Sequence, residues 1–235
     1  MKPLNRKNYG SIPHLLGSKL GGTDKYVHEG QHRIMTIKTR DKHDYLIVTE
    51  KYDGSNVGIT KLDGKIHAMT RSGYLAETSP YKQHHYFAEW VQKQKDRFDF
   101  IGEGERITGE WLMQVHSLKY EILNEPLVVF DYFNANNERL NYKDFNLLLL
   151  KNFETPRLIF CGYGALPIET GLEILNRHSD YRFKTDKPEG IVYKMERKDK
   201  FDYAAKYVRP DYESGKYIIN VEQDDLLWNV KPNCL

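Results

Sequence analysis

The sequence is poor in cysteine: Cys161 and Cys234 are the only two among 235 residues. They are too few and too far apart for a disulfide framework or a tetrahedral zinc site, which fits a reducing, cytoplasmic setting. Long apolar runs are also missing. The longest, residues 147–150 (LLLL), falls far short of the roughly 20 residues needed to span a bilayer, so no membrane partner is expected. The N-terminus, MKPLNRKNYG, has no apolar stretch of the kind a secretory signal carries. Neither sign of charge dominates. With 35 Lys and Arg against 33 Asp and Glu, any polyanion must be met by a local patch and not by the field of the whole chain. The nine histidines show no metal-ligand spacing, and His84 and His85, being adjacent, point apart on any regular element; they read as ordinary surface or core residues. There is no internal repeat, low-complexity tract or Pro/Gly/Ser-rich linker, so a single domain over residues 1–235 is the simplest organisation. Its first 40 residues read as a polar, glycine-rich extension: a lid, a substrate arm or an extended flank.

What is present is enough to build a core, since 40% of residues are hydrophobic and 13% aromatic. Residues 45–49 (YLIVT) read as a strand, and Val57, Ile59 and Leu62 follow at strand-like spacing. Asp63-Gly64 is a two-residue hairpin signal, with Ile66, Ala68 and Thr70 on one face of the returning strand. The intervening TEKYDGSN, residues 49–56, is thus expected at a strand end within an antiparallel meander. Phe87, Trp90 and Val91 recur at helical spacing within residues 79–98. Residues 106–113 and 127–133 read as strands, 141–153 and 168–178 as helices, and 191–195 and 204–208 as strands again. This mixture defines an α+β fold of antiparallel sheets flanked by helices.

TEKYDGSN alone reads as a surface turn, because Asp-Gly is a common turn dipeptide and lysine is usually solvated. For Lys51 to serve as a nucleophile, its pKa, ordinarily about 10.4, must fall by roughly 2 to 3 units through burial or neighbouring cations. Candidate cations are Arg71, Lys194, Lys206 and Arg209. Candidate metal-holding carboxylates at strand edges are Glu110 and Glu189, and Phe130 is an aromatic able to stack on a base.

In order, the segments KYDGSN, TRSG, GEWL, VVFDYF, EGIVYK and AAKYVR resemble the motifs of the covalent nucleotidyltransferases: ATP-dependent DNA ligases, RNA ligases and capping guanylyltransferases. KxDG alone is a weak string, but its succession by the others is specific, and the resemblance spans Lys51 to Arg209. It implies that Lys51 attacks the α-phosphate of ATP and holds AMP as a phosphoramidate, with Asp53 and Lys206 assisting. Glu50 would read the adenine edge, Phe130 would stack on the ring, and Arg71 and Glu110 would contact the ribose. Lys194, Lys206 and Arg209 would neutralise phosphate charge. Asp53, Glu110 and Glu189 would hold a hydrated magnesium or manganese ion. The stretch 50–56 is similar to the RNA ligase 2 branch, where Asn56 would help order the metal's water shell and where a capping enzyme carries arginine.

The expectation is therefore a monomeric RNA ligase joining a 3′-OH to a 5′-phosphate, with a nicked duplex or an RNA/DNA hybrid among its substrates. DNA joining, GMP transfer and a binding module without chemistry are the alternatives. Two departures stand out. Lys206 and Arg209 lie three apart where the family spaces its basic pair by two, leaving Tyr207 and Arg209 as another register. The tail after Arg209 is too short for an oligonucleotide-binding barrel.

Overall fold

The computed structural model describes residues 1–122, 124–177, 187–222 and 225–232. Helix α1 (Glu29–Thr36) precedes strands β1 (Asp44–Lys51), β2 (Ser55–Leu62) and β3 (Lys65–Thr70). Helix α2 (Lys82–Lys93) leads to β4 (Arg106–Trp111) and β5 (Leu127–Phe133). Then come α3 (Tyr142–Leu149), β6 (Leu158–Gly162), α4 (Ile168–Arg177), β7 (Gly190–Arg197) and β8 (Lys200–Val208). The strands form two antiparallel four-stranded sheets, ordered β6-β1-β7-β8 and β3-β2-β4-β5. The α+β expectation is met.

Period-two alternation decides what each strand buries. In the first sheet Leu46 and Val48 of β1, Ile191 and Tyr193 of β7 and Ala205 of β8 enter a core completed by Met35 of α1 and Leu175 of α4. In the second, Val57 and Ile59 of β2, Ile107 and Trp111 of β4 and Val129 of β5 pack with Phe87, Trp90 and Val91, the stripe expected of α2. Helix α3 begins where the Asn141 side chain accepts the Asp144 N–H at 2.9 Å, an N-cap, and contributes Phe145 and Leu149 to the same core. The Asp63-Gly64 hairpin also forms, with both residues at positive φ (52° and 68°), as a type I′ turn requires.

Two expectations are corrected. The stretch 49–56 does not sit inside a meander. β1 is paired on both sides, by β6 and β7, and β2 on both sides, by β3 and β4. With no free edge to offer one another they belong to different sheets, and Tyr52, Asp53 and Gly54 make the crossing. Gly54 passes so near β4 that a Cβ there would lie 2.5 Å from the Trp111 carbonyl oxygen.

Nor is the N-terminal stretch a free flank. Leu15 is fully buried, Tyr9 and Val27 nearly so. The Lys206 N–H donates to Pro13 O at 2.9 Å and the Leu15 N–H to Lys206 O at 2.8 Å, so the segment runs alongside β8. Helix α1 and strand β6 lie outside the elements expected from the sequence, and the expected helices are trimmed at their ends; position 178 falls outside the described residues. Among the described residues no helix is long and apolar enough to cross a membrane.

Candidate active site

The strand faces turned away from the two cores meet at a cavity of about 160 Å³. Alternation explains its lining. One residue on from the core positions Val48, Ile191 and Ala205 stand Thr49, Val192 and Lys206, and the same phase brings Lys51 and Lys194 to the cavity. The second sheet contributes Asn56, Glu110 and Phe130. Glu50, Arg71 and, from the N-terminal segment, Tyr9 complete the wall.

Lys51 is the centre of the polar end. It pairs across strands with Gly190, which brings Glu189 alongside: Lys51 Nζ lies 2.6 Å from Glu189 Oε2 and donates to the Tyr52 carbonyl at 3.3 Å. Asn56 faces Glu110 across β2 and β4, and Glu110 Oε1 accepts the Gly54 N–H at 3.2 Å. Asp53 is fixed from both sides: its Oδ2 accepts the Ser117 N–H at 2.7 Å, and its own N–H donates to the Tyr120 hydroxyl at 2.8 Å.

These charges set one another. Burial, reinforced by the neighbouring carboxylates, raises Glu110 and Glu189 to about 7 each, against the pull of Lys51. Burial works against the Lys51 charge, but Glu189, Glu110 and Asp53 outweigh it and its pKa is raised. The side chains around Lys51 thus do not produce the expected depression, because carboxylates and not cations are its nearest neighbours. Lys206 behaves differently: burial, and then repulsion from Lys51, lowers it despite an ion pair with Asp24 at 3.6 Å. Among the described residues no three His, Cys, Asp or Glu side chains converge into a metal cage. The donor set of Asp53, Glu110 and Glu189 suits a hydrated ion held through water, as magnesium prefers.

At the other end Phe130 meets the ring of Tyr9 edge-on, 5.1 Å between centroids. Lys194 Nζ donates to Phe130 O at 2.6 Å and Asp131 Oδ1 at 2.8 Å, and the Tyr9 hydroxyl donates to Asp131 Oδ2 at 2.9 Å. Arg71 Nη2 reaches the Ser11 hydroxyl at 3.0 Å, and Asn8 Nδ2 reaches Asn56 Oδ1 at 3.4 Å. A groove of about 550 Å³ adjoins, shared by Lys51, Asp53, Arg71 and Glu110 and bordered by His84, whose ring nitrogens each lie 2.6 Å from a serine hydroxyl, Ser55 and Ser79.

The structure thus brings Glu50, Lys51, Asn56, Arg71, Glu110, Phe130, Lys194 and Lys206 to one cavity, with Asp53 and Glu189 at its edge. It does not bring Arg209, which lies past the end of β8 with its side chain on Asp211. Tyr207, of the alternative register, packs against the first core. Lys194 is committed to Asp131 and does not stand free for phosphate. Residues the sequence reading did not single out are Tyr9, Tyr120, Ser117 and Asp131. Asp131 lies within the quoted VVFDYF; the others sit in stretches with no periodic signal.

The family model described as RNA ligase matches residues 44–208, and the chain belongs to that family. Among solved structures it is similar to an archaeal ATP-dependent RNA ligase, at 19% identity over 85% of this chain and 48% of that one, TM-score 0.48. It is also similar to two mutants of the Naegleria gruberi RNA ligase. One, with AMP and Mn, shares 19% identity over 83% of this chain and 59% of that one, TM-score 0.52. The other, with ATP and Mn, shares 19% over 93% and 63%, TM-score 0.52. The chain spans less than two thirds of the length of each. Comparison with curated proteins gives no match.

Proposed function

We propose that this protein is an ATP-dependent RNA ligase that works through a lysyl-AMP intermediate on Lys51. The observation that supports it most is the pairing of Lys51 with Glu189 at 2.6 Å, in a cavity that also holds Glu110, Lys206 and the Phe130 ring, within a chain of the RNA ligase family. The Naegleria gruberi relatives carry AMP or ATP together with Mn.

Phe130 and Glu50 would receive the adenine, with Arg71, Glu110 and Asn56 towards the ribose and phosphates. The Lys51 ammonium must lose a proton before it can attack, and Glu189 Oε2 is the acceptor at hand. The free amine then bonds to the α-phosphorus as the bond to the bridging oxygen breaks and pyrophosphate leaves. Lys206, which lines the same cavity, would stabilise charge on the α-phosphate. A hydrated divalent cation beside Asp53, Glu110 and Glu189 would supply positive charge that offsets these carboxylates. In the second step an oxygen of the RNA 5′-phosphate displaces Lys51 from AMP. In the third, the 3′-OH attacks the activated 5′ end, forming the phosphodiester and releasing AMP.

The test is intact mass after incubation with ATP and magnesium: a gain of one AMP on the wild type, and none on Lys51→Ala. An adduct that persists in Lys51→Ala sinks the assignment. Ligation of nicked, splinted and single-stranded ends, with RNA or DNA on each side, then identifies the strand context.

A further inference from the structure

Arg209, absent from the nucleotide cavity, lines a separate cavity of about 250 Å³ with Lys187, Asp211 and Lys216. It is 9% exposed, and its Nε and Nη2 donate to the Asp211 carboxylate at 3.2 and 3.1 Å. Its Nη1 has no hydrogen-bond partner among the described residues. A buried guanidinium N–H left unanswered is unfavourable until an acceptor completes it, and a planar guanidinium suits phosphate oxygens. Lys187 and Lys216 stand exposed at the rim, and Lys187 Nζ is 3.7 Å from Asp211 Oδ2. With these three cations against Asp211 and Glu213, the cavity keeps a positive balance.

The cavity is also tied to the candidate active site. The Arg209 N–H donates to Glu189 O at 3.0 Å. Ser117, another of its lining residues, gives its N–H to Asp53 and accepts at its Oγ from the Tyr212 hydroxyl at 2.9 Å. Whatever settles against Arg209 therefore lies one residue's reach from two of the three carboxylates around Lys51.

We propose that this cavity is a second anion site, outside the nucleotide cavity, that takes a phosphate group of the polynucleotide strand; it rests on the RNA-joining reading. The phosphate is either the strand's terminal 5′-phosphate or an internal phosphodiester. Neutralising phosphate makes binding salt-dependent through counterion release.

The experiment is anisotropy binding, without ATP, of one fluorescent RNA oligonucleotide prepared with a 5′-phosphate or a 5′-hydroxyl. The proteins are the wild type, the double variant Lys187→Glu/Lys216→Glu, and Asp211→Asn, each checked by circular dichroism and for the AMP adduct. The exposed lysines are expected to be dispensable for the adduct. The double variant is expected to bind at least tenfold more weakly, with the slope of log K against log salt shallower by about 1 for each phosphate no longer neutralised. Asp211→Asn, which removes the competing carboxylate, is expected to bind more tightly. A weakening shared by both oligonucleotides supports an internal phosphodiester, and one confined to the 5′-phosphorylated oligonucleotide supports the terminal group. Wild-type affinity in the double variant overturns the proposal, as does absence of the AMP adduct in it, because the cavity would then serve the nucleotide. A wild type that forms no AMP adduct overturns the ligase reading itself, while the binding comparison still decides whether the cavity holds phosphate.

Discussion

Gly190 packs directly onto the backbone of Tyr207: a Cβ at position 190 would overlap the Tyr207 carbonyl oxygen. Gly190 is also the cross-strand partner of Lys51 and follows Glu189, so a shift of β7 away from β8 is carried directly to the contact between Glu189 and the lysine. The Gly190→Ala variant must part the two strands. It is expected to lose about 1–3 kcal/mol of stability, as overpacking does, and to form the AMP adduct at least tenfold more slowly. Urea unfolding and the time course of adduct formation by mass measure the two effects. A wild-type rate of adduct formation would show that this packing does not set the site.

The carboxylates around Lys51 give the metal-free protein a signed pH response. Glu110, raised by burial and by Glu189 and Asp53 to about 7, binds its proton more tightly folded than unfolded. Stability it contributes is therefore present at low pH and is lost as pH rises from about 4.5 to about 7. His84 and His116, whose pKa values burial lowers, act in the opposite direction over the same range, since they favour the folded state more as pH rises. The informative quantity is therefore the difference from a variant. Glu110→Gln, unfolded by urea in the presence of EDTA, is expected to gain about 2–3 kcal/mol relative to wild type between pH 5 and pH 8. A difference that does not change with pH would mean that Glu110 ionises as an ordinary carboxyl.

Strands were legible where one face is apolar and the other polar. The alternation of Ile191 and Tyr193 with Val192 and Lys194 marks β7 and also says which side chains reach the cavity. Applied to β8, the same period puts Lys206 on the cavity side and Tyr207 against the core. Two features were not legible. The crossing at Tyr52, Asp53 and Gly54 looks locally like any Asp-Gly turn, and only pairing on both flanks of β1 and β2 excludes the meander. The charge state of Lys51 depends on which neighbours are nearest, and those neighbours come from strands distant in sequence.

The N-terminal segment offers a clean test of its structural role. Its buried apolar residues are scattered among glycines and charges, so no periodic pattern marks them, yet Leu15 is fully buried in the first core. Leu15→Ala is expected to cost about 2–5 kcal/mol, the range for an emptied leucine site. Leu20, 39% exposed a few residues on, serves as the control, and its alanine variant is expected within about 0.5 kcal/mol of wild type. Equal midpoints of unfolding for the two variants would return the segment to the status of a loose flank.

Phe130, next to Asp131 on β5, packs edge-on against the ring of Tyr9, whose hydroxyl is in turn held by Asp131, so packing constrains its ring before any nucleotide arrives. Stacking of a base on an aromatic side chain is worth about 1–3 kcal/mol, which corresponds to roughly a tenfold to hundredfold change in affinity. Phe130→Ala is therefore expected to raise the KM for ATP in adduct formation by that factor while the rate at saturating ATP stays near wild type. Phe130→Trp, which keeps a π face, should recover most of the loss. Tyr9→Ala should reproduce part of it, because the ring that braces Phe130 is gone while Phe130 itself remains. A Phe130→Ala enzyme with an unchanged KM for ATP would place the base elsewhere in the cavity.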